Sequence, residues 1–164
     1  MNAITYNNAS PVFLDVEKDL NISVSKTLSF LKNETYKKNG FTYNKTSGKK
    51  IRALIIVHVF GNAVDLKKLL RACKERNIKI IEDAAESLGT RYKKNYLDGK
   101  HTGTVGDIGC ISFNGNKIIS SGGGGAIISN SAALVKKAKY LSSQAKANKA
   151  FFIHNEIGYN YTLS

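Results

Sequence analysis

The sequence of 164 residues contains no tryptophan, one proline, one methionine and two cysteines. Cys73 and Cys110 are too few for a disulfide framework, and their spacing does not match a metal-ligand motif, so we expect no metal site. The longest uninterrupted apolar run, residues 53–57, is far too short to span a bilayer. No basic segment followed by an apolar segment opens the chain, so we expect no signal peptide. These absences predict a cytoplasmic protein without membrane contact.

Acidic residues are also scarce, because 12 Asp and Glu stand against 25 Lys and Arg, which leaves a net charge of +13. A surplus of this size often indicates nucleic-acid binding. Only four of the basic residues are arginine, however, and the lysines are scattered instead of grouped with aromatic side chains that could read or stack on bases. We interpret the charge as a solvated basic surface and expect no nucleic-acid partner. The alternative, a basic nucleic-acid binder, predicts salt-sensitive retention on DNA.

What the sequence does contain is an alternation of short apolar runs with amphipathic segments, which predicts an α/β domain with a largely parallel sheet. The aliphatic run at residues 53–59 is typical of a strand covered on both faces, with His58 as a hydrogen-bonded core histidine. Residues 66–73 carry apolar side chains at helical spacing. We expect further strands at residues 12–15, 78–81, 110–113 and from 126, further helices at 25–32 and around 134–141, and mostly loop at 33–50.

Three short segments could carry chemistry. Glu82 and Asp83 end a predicted strand, and ligands of open parallel sheets bind beyond the carboxyl ends of strands. Lys117 follows Ser112 by five residues, just past another predicted strand. A run of four glycines, residues 122–125, permits close backbone approach. The first two segments also have a plain interpretation, as an acidic turn or helix cap and as a solvated loop lysine. Neither of the two common glycine-rich phosphate-binding fingerprints occurs.

Together, however, five ordered motifs resemble the DegT/DnrJ/EryC1/StrS aminotransferases, which are pyridoxal phosphate (PLP) enzymes that aminate keto-sugars bound to nucleotides. These motifs are residues 57–61 (VHVFG), 82–87 (EDAAES), 103–109 (GTVGDIG), 112–117 (SFNGNK) and 123–126 (GGGA). Residues 158–161 (GYNY) match a further family motif. The resemblance implies a three-layer α/β/α architecture with a mostly parallel sheet, as in the large domain of fold-type I, aspartate aminotransferase-like transferases.

The resemblance assigns a role to five residues. Lys117 matches the lysine whose amine condenses with the cofactor aldehyde and then moves a proton. Asp83 matches the carboxylate that keeps the pyridine nitrogen protonated, so that the ring acts as an electron sink. Glu86 matches a position beside the phenolic oxygen, where the family often has Gln or His. Ser112 matches a hydroxyl donor to the cofactor phosphate, and Asn160 matches an asparagine that reaches the phosphate in the neighbouring subunit, which implies a homodimer.

The resemblance also implies the reaction and the extent of the domain. Residues 112–119 look most like the branch that aminates nucleotide-linked 4-keto-6-deoxy sugars for legionaminic acid and bacillosamine, with glutamate as the amino donor, in cell-surface glycan biosynthesis. Family chains are more than twice as long. We therefore interpret residues 1–164 as part of the large PLP-binding domain, without the N-terminal segment that cradles the phosphate and the C-terminal small domain.

Two alternatives to an active aminotransferase remain, and the substrate is not fully specified. The first alternative is a catalytically incompetent fragment or remnant that retains at most cofactor or dimer contacts. The second is a dehydratase of the same family, in which histidine replaces the cofactor lysine, and Lys117 argues against it. Whether the sugar is linked to UDP or GDP stays open.

Overall fold

The computed structural model describes residues 2–93, 95–148 and 150–162. The elements in chain order are α1 (Asn2–Thr5), α2 (Val24–Asn33), β1 (Thr35–Lys38), β2 (Phe41–Asn44), β3 (Ala53–Val57), α3 (Lys67–Glu75), β4 (Lys79–Asp83), β5 (Ile108–Ser112), β6 (Gly125–Ile128), α4 (Ala132–Ser142), β7 (Lys146–Asn148) and β8 (Ile153–His154). Short 3₁₀ turns occupy Val59–Gly61 and Asn95–Leu97. Among the helices of the described residues, none has the length and apolar character needed to cross a bilayer.

The central feature is a four-stranded sheet with the order β3-β4-β5-β6. Strands β3, β4 and β5 run parallel, and β6 is antiparallel to β5. In the register, Val57 lies beside Asp83 and Asp83 lies beside Cys110. The carboxyl ends of three strands therefore reach the same edge of the sheet. The prediction of an α/β fold with a mostly parallel sheet is confirmed.

The core packs against one face of this sheet. Ile56 and Ile80 point to that face and lie in one buried cluster with Leu69 and Cys73 of α3. The i, i+4 spacing of Leu69 and Cys73 places both on the same side of the helix, as the apolar periodicity predicted. Burial raises the pKa of the Cys73 thiol to about 11, so it packs as a neutral apolar group.

The opposite face of the sheet is more open. Ile55 and Val57 alternate with the buried Ile56 along β3, yet they remain 41% and 40% exposed. The expectation that this strand is covered on both faces is therefore wrong for the part of the chain that the structure describes. A continuous aliphatic run cannot by itself distinguish a strand with one covered face from one with two.

Two local predictions were also wrong. The strand expected at residues 12–15 is irregular chain, since none of the strands in the described residues pairs with this segment. The Asp15 side chain instead accepts the N–H of Val16 and pairs with the amine of Lys26. The loop expected at residues 33–50 contains the β1–β2 hairpin instead. Its turn is Asn39–Gly40, with φ of +51° and +75°, which is the Asn-Gly signal of a tight hairpin.

Candidate active site

Three loops meet at the carboxyl edge of β3, β4 and β5, which is where ligands bind open parallel sheets. They follow the three strands directly and line an open cavity of about 290 Å³. This volume is close to the lower limit of small-molecule sites, about 300 Å³. The cavity is lined by Phe60 from the first loop, Glu86 from the second, and Asn116, Lys117 and Ile118 from the third.

Lys117 is the amine of this cavity. The turn after β5 is closed by a hydrogen bond from the Lys117 N–H to the Asn114 carbonyl at 3.0 Å. The Lys117 side chain is only 17% exposed, and its Nζ lies 3.7 Å from Glu86 Oε1. A freely solvated loop lysine, the plain interpretation of this residue, does not fit that degree of shielding.

Glu86 connects the second loop to the first. Its Oε2 accepts a hydrogen bond from the Phe60 N–H at 3.0 Å. Phe60 has a φ of +52°, in the left-handed region, and Gly61 follows with a φ of +83°. A side chain at Gly61 would also meet the Glu86 carbonyl oxygen at 3.3 Å. The Phe60–Gly61 bend therefore presents a backbone donor to the Glu86 carboxylate.

Asp83 and Ser112 lie on the same face of the sheet, at the ends of adjacent strands. Asp83 is the register partner of Cys110, and Ser112 follows Cys110 by two residues. The Asp83 Oδ1 accepts the Ala85 N–H at 3.1 Å, and the Ser112 Oγ accepts the Asn114 N–H at 3.3 Å. Burial and the Asp83 carboxylate raise the pKa of the Cys110 thiol, which stays uncharged beside Asp83. Asp83 and Ser112 are both half-buried.

Glu82 points to the opposite face and is fully buried. Its carboxylate accepts four hydrogen bonds, from His58 Nε2 at 2.9 Å and from the backbone N–H groups of Gly103 at 2.9 Å, Val105 at 2.7 Å and Gly106 at 2.5 Å. His58 Nδ1 accepts the Val64 N–H at 3.1 Å, which assigns the ring hydrogen to Nε2. The prediction of a hydrogen-bonded core histidine is confirmed. Glu82 thus connects the end of β3 and the Gly103–Gly106 loop to β4. Asp83 is the next residue of the chain after Glu82.

We expect the Glu82 carboxyl to titrate below its ordinary value of 4.5. Burial alone raises the pKa of Glu82, but the hydrogen bonds from His58 and from three backbone N–H groups outweigh it, and the net shift lowers the pKa. A lowered pKa means that this group stabilises the fold fully above pH 4.5 and that the contribution is lost as the pH falls through the lowered pKa. Carbon-13 NMR of the Glu82 carboxyl checks this, and a titration midpoint above 4.5 contradicts it.

Asn160 is not part of this cluster. It forms an isolated antiparallel bridge with Ser143, just after α4, and it is exposed. Within the described residues, no hydrogen bond or ion pair joins Asn160 to Lys117 or Asp83. The structure therefore brings Lys117 and Glu86 together, places Asp83 and Ser112 on neighbouring strand ends, and leaves Asn160 unconnected to them.

Sequence reasoning did not assign a role to three of the residues that line the cavity, Phe60, Asn116 and Ile118. Phe60 follows directly after a predicted strand, and Asn116 and Ile118 flank Lys117. Because loops after parallel strands share one edge, these positions could have been selected by their place in the chain. The sequence around Phe60 did not indicate its left-handed backbone conformation or its hydrogen bond to Glu86.

The sequence model of the DegT/DnrJ/EryC1/StrS aminotransferase family matches residues 1–164. The chain belongs to this family. This DegT/DnrJ/EryC1/StrS chain is 39% identical over 163 residues to the EpsN protein of Bacillus subtilis (strain 168), covering 99% of this chain and 38% of that protein. It is 33% identical over 164 residues to GDP-perosamine synthase of Escherichia coli O157:H7, covering 100% and 40%.

A solved structure agrees with the family assignment. The DegT/DnrJ/EryC1/StrS chain superposes with a TM-score of 0.77 on Helicobacter pylori PseC, an aminotransferase involved in the biosynthesis of pseudoaminic acid. The two are 26% identical, and the match covers 99% of this chain and 38% of PseC. The chain therefore spans about 38–40% of the length of the curated relatives it matches. The predicted family and fold class are confirmed.

Proposed function

We propose that this chain is part of a PLP-dependent aminotransferase that transfers an amino group from glutamate to a nucleotide-linked 4-keto-6-deoxy sugar. The observation that carries the proposal is the shielded amine of Lys117 in a small cavity at the carboxyl edge of the sheet. The names of two relatives support the substrate class: GDP-perosamine synthase, and the UDP-4-amino-4,6-dideoxy-N-acetyl-beta-L-altrosamine transaminase of Campylobacter jejuni, which is 33% identical over 166 residues.

The residues at this edge fit PLP by their chemistry. Lys117 supplies a primary amine, the group that reacts with an aldehyde. Asp83 supplies a carboxylate, which stabilises a protonated ring nitrogen. Ser112 accepts one hydrogen bond through its oxygen, so its hydroxyl hydrogen can be donated to a phosphate oxygen. When bound, PLP supplies an electron sink for the carbon that loses a proton.

The chain's own residues then orient the ligands and move a proton. The Lys117 amine at the cavity wall can take a proton from a carbon atom in the cavity and return it to another. Phe60 and Ile118 line the same cavity and are 73% and 65% exposed, so a ligand that covers them gains apolar contact and excludes water. The Asp83 carboxylate would stabilise a protonated pyridine nitrogen of PLP.

The remaining assignments complete the proposal. Residues 1–164 belong to the large PLP-binding domain of this enzyme, and Asn160 of the partner subunit reaches the cofactor phosphate in a homodimer. The exposed position of Asn160 is compatible with a contact outside its own chain. Glu86 would contact the PLP ring on its phenolic-oxygen side.

We expect Lys117→Ala to abolish covalent capture of PLP. The protein is incubated with one equivalent of PLP and reduced with borohydride, and the modified peptides are quantified by mass spectrometry. The label should be on the Lys117 peptide and fall more than tenfold in the variant, because no other amine in the described residues lines this cavity. Lys136→Ala, an exposed lysine of α4, is the matched control and should keep the label. A label spread evenly over surface lysines would indicate the incompetent remnant instead.

A further inference from the structure

Both oxygens of the Glu86 carboxylate have a partner in the cavity wall. One accepts the Phe60 N–H at 3.0 Å, and the other lies 3.7 Å from the Lys117 Nζ. The glutamate is 39% exposed, whereas the lysine is 17% exposed. The carboxylate is therefore the open side of the pair, and a molecule that enters the cavity meets it together with the amine.

The glutamate is held in this position from two directions. On the strand side, the adjacent Ser87 is fully buried and its hydroxyl is hydrogen-bonded to the Thr102 hydroxyl at 2.8 Å. On the loop side, the Thr90 hydroxyl donates to the Gly61 carbonyl at 2.9 Å and fixes the bend that presents the Phe60 N–H. The Glu86–Lys117 pair is thus part of an ordered framework and not a chance contact of two flexible side chains.

We infer that Glu86 is a positioning residue that pairs with the Lys117 amine and restrains its reaction with carbonyl compounds until a ligand displaces the carboxylate. An ammonium has no free electron pair, so it must lose its proton before nitrogen can bond to carbon. The Glu86 carboxylate oxygen lies 3.7 Å from the Lys117 Nζ and attracts it, so this pair must separate before the amine can approach a carbonyl carbon. The consequence for PLP capture rests on the proposed function; the restraint on the amine does not.

The test measures the reactivity of Lys117 in the absence of PLP. The purified protein is treated with a trace of acetic anhydride, and acetylation of each lysine is quantified by mass spectrometry. In this reaction the neutral amine forms a bond to the acetyl carbon, acetate leaves with the electron pair, and the amine proton passes to the buffer. The rate at Lys117 is divided by the rate at Lys136, an exposed lysine in the same molecule.

We expect Glu86→Gln to raise this ratio about three- to tenfold, since it removes the charge while keeping the size of the side chain. Glu75→Gln is the matched control, because it removes a glutamate that pairs with Arg71 on the surface of α3. Its ratio should equal that of the native sequence. Circular dichroism and an unchanged urea unfolding midpoint verify that both variants are folded. A ratio for Glu86→Gln within twofold of the native value, or below it, overturns the inference.

The outcome is separable from that of the proposed function. A raised acetylation ratio without PLP capture on Lys117 would support the restraint and contradict the aminotransferase proposal. PLP capture on Lys117 with an unchanged ratio would support the aminotransferase and contradict the restraint.

Discussion

Glu82→Gln is expected to lower the free energy of unfolding by about 1–3 kcal/mol, the cost of leaving a buried hydrogen-bond donor without its acceptor. Four donors point at the two carboxylate oxygens, two at each: His58 and Gly103 at Oε2, Val105 and Gly106 at Oε1. A glutamine at position 82 replaces one of the two carboxylate oxygens with an NH₂ group. Whichever oxygen is replaced, the NH₂ donor faces the two donors that pointed at that oxygen.

The histidine cannot resolve this conflict. If the ring hydrogen of His58 moved from Nε2 to Nδ1, the Nδ1–H would face the N–H of Val64, which now donates to Nδ1. Two donors would then point at each other. At least one buried donor therefore loses its acceptor in every arrangement, and an unsatisfied buried group is itself costly. The nearby Asp83 also loses its support, because the same carboxylate holds the Gly103–Gly106 loop against β4.

Urea unfolding followed by circular dichroism measures this change. Glu75→Gln serves as the matched control, because Glu75 is half exposed and pairs with the exposed Arg71 at 2.9 Å and only distantly, at 4.0 Å, with Arg76. We expect the control to unfold at a urea concentration close to that of the native sequence. An equally small change for Glu82→Gln would show that the four hydrogen bonds do not hold the loop and the strands together.

Gly109→Ala is the second large expected effect, with a loss of more than about 3 kcal/mol or failure to fold. Gly109 lies in β5, and a Cβ there would be 1.8 Å from the Gly103 carbonyl oxygen and 2.6 Å from its carbonyl carbon. Both contacts are to backbone, so no side-chain rotation can relieve them. Either β5 shifts away from β4 or the Gly103 N–H leaves Glu82.

The matched control for this substitution is Gly123→Ala, because a Cβ at Gly123 meets nothing within 4 Å and its φ is not in the left-handed region. We expect the control to keep the native yield of soluble protein and the native unfolding midpoint. The yield and the midpoint of Gly109→Ala should both fall. Native behaviour of Gly109→Ala would contradict the close approach of the two backbones.

The two predictions concern one structural device. Glu82 is the register partner of Gly109 on the next strand. Glu82 accepts the Gly103 N–H, and the backbone of Gly109 lies close to that of Gly103. Because Gly109 has no side chain, the Gly103–Gly106 loop can pack close enough to β5 for its N–H groups to donate to the buried Glu82 carboxylate. The candidate site on the other face depends on this device, since Asp83 follows Glu82 directly in the chain.

The sequence by itself determined the family, the α/β class and most of the regular elements. Apolar periodicity correctly indicated α3, and aliphatic runs indicated β3 and β4, because these signals depend on neighbours within a few residues. The motifs also selected Lys117 and Asp83, since strand ends of a parallel sheet converge. The role of Asn160 stays a prediction.

Only the tertiary structure decided how these residues meet. The pairing of Lys117 with Glu86 bridges 31 residues of sequence, and the Phe60 hydrogen bond to Glu86 bridges 26. The four-donor environment of Glu82 likewise assembles residues from positions 58 to 106. Such contacts depend on strand order, register and the close approach of two glycine backbones. No local pattern encodes them, because the residues become neighbours only when the sheet has formed.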